Sequence, residues 1–328
     1  MKLLKLVPDD TNIQFLRWRI PFYIVSCLLI AASLTLVATR GLNFGVDFVG
    51  GQMIRATFVE SSEAPVGELR AQISKLGYGE PVIQRFGAPN EVSIRMRLPE
   101  GAAKDPALSE NMTRKVVATV RDGHDDARID GVDSVSGKVS GELFETAAYA
   151  LLFAMIAISI YIWVRFEWQF GVGALFALVH DVSLTLGMFA LFQLEFDLNI
   201  VAAILTIIGY SLNDTIVVYD RIRENLKKYR KMQLTDLLDL SVNETLARTV
   251  MTSLTLLVVL IALLLLGPAS LFGFTAAITL GIFVGTYSSV YMAAPILIWL
   301  GVTSESFVPT ESAQERQERL AREDGAQV

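Results

Sequence analysis

IVAAILTIIGYSLNDTIVVYDRIREN, residues Ile200 to Asn225, decides how the rest of the chain is read. It carries no charge from Ile200 to Asn213, is apolar again from Ile216 to Val218, and ends in Asp220, Arg221 and Arg223. Its apolar length matches the roughly 20 residues that cross a hydrocarbon core about 30 Å thick. Asp214 interrupts it. An Asp at the centre of a membrane helix costs about 2.5 to 3.5 kcal/mol on insertion scales, so such residues face protein or a watery cavity and mark ion pathways. Asp214 precedes Arg221 by seven positions, about 10 Å along a helix axis, which is deeper than a short side chain reaches to the interface. The spacing makes Asp214 a functional-site candidate, the alternative being a residue solvated at the helix end.

The composition agrees with a membrane location. Of 328 residues, 52% are hydrophobic and 19% charged, against about 25% charged in soluble domains, and the mean hydropathy is +0.47. A net charge of -6 and a pI near 5.1 exclude the basic surface of a nucleic-acid-binding protein. The single cysteine, Cys27, lies in the first apolar run, so no intrachain disulfide and no thiol chemistry are expected. No nucleophile–base set, phosphate loop or metal-ligand cluster stands out, so the sequence implies no enzyme, no cofactor and no metal.

Taken in order, residues 1–19 carry Lys2, Lys5, Arg17 and Arg19 ahead of an apolar run over 20–39. That run exceeds the roughly 7 to 15 residues of a signal-peptide core, and it reads as a retained first helix with its basic end in the cytoplasm. Residues 40–140 turn polar and match a soluble domain of ordinary size. Strand patterns over Gln52–Glu60, Pro81–Phe86, Glu91–Leu98 and Val132–Val139, with helical ones over Pro65–Leu76 and Ala107–Arg121, give the order βαββαβ of a ferredoxin-like α+β domain. Ala88-Pro89-Asn90 joins its middle strands, and His124 stands there without metal-ligating company, so the domain is expected to bind or to act mechanically. Further apolar spans over 143–164, 170–192, 200–218, 248–266 and 272–300 complete six membrane helices. Residues 219–247 read as a basic loop and helix, and 301–328 as a tail that is charged and loosely ordered from Thr310 onward. By the positive-inside rule Arg165 and the cluster Arg221, Arg223, Lys227, Lys228, Arg230 and Lys231 are cytoplasmic. The large domain and the loop with Glu195 and Asp197 are then outside, and both termini are cytoplasmic.

More polar groups sit within the spans. His180 and Asp181 lie midway along the third, and Arg248 opens the fifth. Ser241 and Glu244 form an S-x-x-E pattern that predicts a capping box and a helix start near Val242, with Arg248 nearly two turns inside. Helical spacing puts Arg248, Thr252 and Thr255 on one face, and Thr206, Tyr210, Asn213 and Asp214 on another, at matching depth. An Arg near a cytoplasmic helix end is equally what the positive-inside rule produces, so its role stays open. His180 and Asp181, being adjacent, are expected not to share a face fully, and one of them can be structural. Gly281 with Gly285, and Gly137 with Gly141, suit close helix approach, and Pro295 predicts a kink in the last helix. Burial favours a neutral carboxyl and a nearby guanidinium favours the charged one. Helix motion that alternately brings Arg248 near and withdraws it would therefore make Asp214 release and take up a proton, with about 2.3 kcal/mol available per charge per 100 mV.

Four motifs carry a resemblance: GLNFGVDFVGG over Gly41–Gly51, VSGKVSGEL over Val135–Leu143, ALVHDVSLTLG over Ala177–Gly187 and SLNDTIVVYDRIREN over Ser211–Asn225. With the layout of six helices and one domain after the first, the chain resembles the SecF branch of the SecD/SecF family, within the RND transporter superfamily. The resemblance implies half of an RND-type unit, with SecD supplying the other six helices. It implies association with the SecYEG channel, and admits the YidC and YajC accessory proteins, translocating preproteins and membrane lipid as further contacts. It also implies use of the proton-motive force in late, ATP-independent export steps, after the SecA ATPase has acted, from the bacterial cytoplasmic (inner) membrane with the domain in the periplasm. Residue by residue it carries a proton-pathway role to Asp214 and Arg248, with Asn213 beside them, and leaves His180, Asp181, Thr206, Tyr210 and Thr252 as accessory intramembrane polar positions. The readings it competes with are an RND-type exporter subunit for lipids or small molecules, and a purely structural scaffold.

Overall fold

The computed structural model describes residue 8, residues 11–98 and residues 106–303. Lys2, Lys5 and the charged tail from Thr310 lie outside the described residues. In chain order the elements are α1 (Arg19–Arg40, after a 3-10 turn at Phe15–Trp18), β1 (Asn43–Phe44), α2 (Val46–Val49), β2 (Gly51–Phe58), α3 (Val66–Ser74), β3 (Val82–Phe86), β4 (Ala88–Met96), α4 (Pro106–Arg121) and β5 (Ala127–Val135). There follow α5 (Gly137–Arg165), α6 (Trp168–Phe192), β6 (Glu195–Phe196), α7 (Leu198–Lys228), α8 (Leu234–Leu266), α9 (Phe272–Ser288), a π-helical stretch at Ser289–Ala293, and α10 (Ala294–Trp299). Among the described residues six helical spans are long and apolar enough to cross a membrane. Closing backbone hydrogen bonds within each segment is what lets such spans exist in lipid.

The domain between α1 and α5 is a four-stranded antiparallel sheet in the order β3-β4-β2-β5, the ferredoxin-like arrangement. Period-two burial of Ile54, Ala56 and Phe58 on β2 and of Val92, Ile94 and Met96 on β4 meets Leu69 and Ile73 of α3. Met112, Val116 and Val120, one helical turn apart on α4, close the same core.

Several boundaries differ from the sequence reading. The last strand runs over Ala127–Val135 instead of Val132–Val139, because Ser136 caps the next helix by accepting from Val139 N. α5 consequently starts at Gly137, ahead of position 143. Within 219–247, read as a basic loop and helix, the loop is confined to 229–233: α7 continues through its basic end to Lys228 and α8 starts at Leu234. Ser241 and Glu244 do not form a capping box. Ser241 donates to the Leu237 carbonyl at 2.7 Å inside α8, and both side chains accept from Asn225 Nδ2, at 3.0 and 2.7 Å. A serine in a helix interior can bond its own i−4 carbonyl, and the motif then serves a neighbouring helix rather than a terminus. The last span changes winding ahead of its proline, with the π-helical stretch immediately before α10 and Pro295 in that helix's first turn.

Domain and bundle are joined by more than chain continuity. β1 and β6 pair in parallel, Asn43 with Glu195 and Phe44 with Phe196. Arg40 donates to the Leu191 carbonyl at 2.9 Å, and Asp47 accepts the first amide of α7, Leu198 N, at 3.0 Å. Gly50 and Gly51 sit at φ +73° and +130°; a Cβ on Gly51 would lie 2.5 Å from the Met96 carbonyl, and one on Gly50 3.1 Å from Gly137. Gly51→Ala is expected to destabilise the domain by about 1–3 kcal/mol, read as a lower unfolding midpoint of the purified protein.

Glu195, in the same joint, is half-buried, and desolvation raises its carboxyl above the usual 4.5, with Arg95 and Arg55 opposing and Asp197 and Asp47 adding to the rise. A folded-state value above the unfolded one means that the folded joint binds the proton more tightly, so stability falls as pH rises from 4.5 through the folded value. Protection factors at β1 and β6, corrected for the intrinsic pH dependence of amide exchange, should fall across that window in the native protein and stay level there in Glu195→Gln.

Candidate functional site

The bundle interior holds two polar sets, both built on α7. The first centres on Asp181 of α6. His180 and Asp181 are adjacent, yet both are fully buried and bond each other, Nδ1 to Oδ1 at 2.9 Å. The other carboxylate oxygen, Oδ2, accepts from Ser211 of α7 at 2.5 Å and from Ser288 of α9 at 2.9 Å. Three helices therefore meet on one carboxylate. They can do so because α9 offers glycines to α7: a Cβ on Gly281 would meet Ile207 at 2.4 Å and one on Gly285 would meet Ser211 at 3.1 Å. Further along the same seam Thr215 pairs with Ser289 at 3.0 Å, and Tyr219 donates to the Ala293 carbonyl at 2.9 Å in the π-helical stretch.

The second set lies between α7 and α8. Asp214 is 3% exposed, and its Oδ2 is buried with no hydrogen-bond partner. Tyr210, one turn before it, bonds Ser253 of α8 at 3.0 Å, and Ser253 bonds Thr286 of α9 at 2.7 Å. Thr249 is 3% exposed, with an equally unpartnered hydroxyl. Arg248 is exposed, and among the described residues no ion pair within 4.0 Å links it to Asp214, although its charge acts on that carboxyl.

The structure thus sorts the predicted residues. Asp214 and Tyr210 face α8 from within the bundle, whereas Thr206 and Asn213 point outward from α7. Thr252 and Thr255 share the exposed side of α8 with Arg248, and both bond backbone carbonyls of their own helix. Of the two stripes read from the sequence, the one on α7 is therefore divided between an inner and an outer face, while the one on α8 lies wholly on the outer side. Ser211, Ser288, Thr249, Ser253 and Thr286 escaped the sequence reading. A lone serine or threonine in an apolar helix is as readily self-satisfied as bonded sideways, and only lateral partners distinguish the two.

Six spanning helices with a ferredoxin-like domain inserted after the first, and with carboxylates buried in the bundle, define one half of an RND-type membrane protein. Residues 115–303 match the family described as protein export membrane protein SecD/SecF, C-terminal, and residues 35–61 match the SecD/SecF GG motif. The protein translocase subunit SecF of Rhodobacter capsulatus is 46% identical over 309 residues, covering 91% of this chain and 92% of that protein. Its counterpart in Vibrio alginolyticus is 39% identical over 314 residues, covering 95% and 98%. The crystal structure of SecDF, a translocon-associated membrane protein from Thermus thermophilus, superposes with a TM-score of 0.78 at 34% identity, over 89% of this chain and 39% of that longer one. The chain belongs to the SecD/SecF family of protein-export membrane proteins and is similar along nearly its whole length to SecF subunits. The glycine pair that the family motif spans is the Gly50-Gly51 contact described above.

Asp181→Ala would strand the His180 ring and the Ser211 hydroxyl, while Ser288 keeps the Gly285 carbonyl, and is expected to cost about 2–4 kcal/mol. Asn213→Ala, on the outer face, should stay within about 0.5 kcal/mol. Thermal unfolding of the detergent-purified variants checks both.

Proposed function

We propose that this chain is the SecF-type subunit of an accessory complex of the Sec translocon, in which proton movement through the membrane drives late, ATP-independent steps of protein export. The observation that carries this reading is Asp214, a carboxyl buried in a membrane helix, short of hydrogen bonds, with a mobile-length cation on the neighbouring helix. A carboxyl so placed can exist in either protonation state as its electrostatic surroundings change, which is the requirement for carrying a proton across a dry bundle. Asn213 and Arg248 stand beside it on the outer face of α7 and α8, where a partner helix would complete the path.

The partner in this reading is SecD, which supplies the second half-unit, and SecYEG with the emerging preprotein is the target of the assembly. YidC and YajC are further candidate contacts. The domain-bearing face is periplasmic and both termini are cytoplasmic, supported by Arg165, Arg221, Arg223, Lys227 and Lys228 gathering at the opposite end of the bundle. The chain performs no catalysis of its own; it converts an ion gradient into movement of the outer domain.

Asp214→Asn removes the titrating group at nearly constant shape. It is expected to reduce export of a secreted reporter at least tenfold in cells lacking the native protein, while the variant still co-purifies with SecD. Undiminished export by an assembled Asp214→Asn protein would leave a scaffold role in its place.

A further inference from the structure

Three lateral contacts fix the register of α7 against α8. Tyr210 meets Ser253, Arg221 meets Glu244 at 3.6 Å, and Asn225 meets Ser241. The helices run antiparallel, so each step along α7 is a step back along α8, and Asp214 falls level with residues 249–252. It also lies on the face of α7 that makes these contacts, one turn after Tyr210 and two before Arg221. Within 249–252, only Thr249 is buried. The two interior oxygens without a hydrogen-bond partner on these helices, Asp214 Oδ2 and Thr249 Oγ1, are thereby placed at one level of one interface.

Burying a carboxyl oxygen and a hydroxyl at one level of an apolar interface with neither satisfied costs several kcal/mol, whereas a bridging water needs only two to four polar partners. We propose that Asp214 and Thr249 together bind a single water molecule between α7 and α8, and that this water hands the proton to and from the Asp214 carboxyl. The hydroxyls of Tyr210, Ser253 and Thr286 continue from this site toward the domain-bearing face, because α7 starts at that face and Tyr210 precedes Asp214 along it. They form a hydrogen-bonded ladder across three helices at the point where the path would otherwise be dry. Thr249 is then a positioning residue: it fixes the water, and the water reaches the carboxyl. Its hydroxyl can accept from the water and donate to it, so it serves both protonation states of Asp214 without moving.

This inference rests on the proton-carrying role proposed for Asp214, and its test separates the two. The chain is reconstituted with its SecD partner into vesicles carrying an internal pH dye, and proton uptake after an external acid jump is compared for the native protein, Asp214→Asn, Thr249→Val and Thr249→Ser. Infrared difference spectra of the same samples are taken in ordinary and in heavy-oxygen water, whose mass shifts the bands of bound water alone. Thr249→Val, equal in shape but without the hydroxyl, is expected to slow uptake about tenfold, as loss of one buried hydrogen bond implies, and to abolish the isotope-shifted water band. Thr249→Ser should keep the band and hold uptake within about twofold of native, which a purely packing role for the Thr249 methyl would not allow. Retention of both uptake and band in Thr249→Val, or loss of both in an assembled Thr249→Ser, overturns the water site while leaving Asp214 as carrier. Native uptake in Asp214→Asn overturns the carrier role itself.

Discussion

A carboxylate in hydrocarbon has no water to turn to, and the chain meets this constraint in two opposite ways on one helix. Asp181 has both oxygens occupied, by His180, Ser211 and Ser288, and so draws α6, α7 and α9 into one arrangement. Asp214 lies one turn beyond Ser211 and has a buried oxygen with no such bond. The first solution gives a fixed joint, because every rearrangement must break several short hydrogen bonds at low dielectric. The second leaves a group whose protonation is decided by what approaches it. In the proposed reading, a rigid seam next to an unsatisfied one would let one helix pair change spacing while the rest of the bundle stays put.

The consequence for the domain follows from where α7 begins. Its first amide is held by Asp47, and the strand just before it, β6, is hydrogen-bonded to β1. β1 passes through α2 directly into β2, an inner strand of the sheet. Any displacement of the α7 terminus would therefore be passed to the sheet over a few residues of continuous backbone and not through a flexible linker. The glycine pair at the start of β2 belongs to this argument. With no side chains at Gly50 and Gly51, the strand can seat against the Met96 carbonyl and the start of α5 at once, which fixes the domain to two spans.

The spans, the inserted domain and its strand order were legible in the sequence because each rests on a periodicity: about 20 apolar residues for the bilayer, two for strands, 3.6 for helices. Asp214 was legible as an anomaly against that background. What was not legible depended on facing. Thr206 and Asn213 share a helix with Tyr210 and Asp214, but a turn of 3.6 residues carries alternate members of the i, i+3, i+4 series around to opposite edges of the stripe. Which edge is buried is decided by the neighbours. The S-x-x-E pattern at Ser241 misled for a related reason: the same side chains that would cap a helix here bind Asn225 of α7, and nothing local distinguishes the two uses. His180 and Asp181 read as competitors for one face, whereas packing on several sides of α6 gives both an interior position.

The exposed side of α7 is the strongest argument that this bundle is half of something. Ala202, Thr206, Gly209 and Asn213 form an outward stripe at spacings of four, three and four, alongside the outward Arg248 and Thr252 of α8. Elsewhere the outward residues suit lipid, as with Leu152, Phe153 and Ile160 on α5 or Val258, Val259 and Leu265 further along α8 itself. An Arg facing hydrocarbon at that depth would cost about 2.5 to 3.5 kcal/mol, and small residues beside it provide the close approach that another helix needs. A covering helix removes the cost and uses the approach. Arg248 then lies at a seam, with Asp214 behind it and the partner's surface in front. In the proposed reading, the absence of an Asp214–Arg248 ion pair within 4.0 Å among the described residues would leave the guanidinium able to respond to a group on the other side.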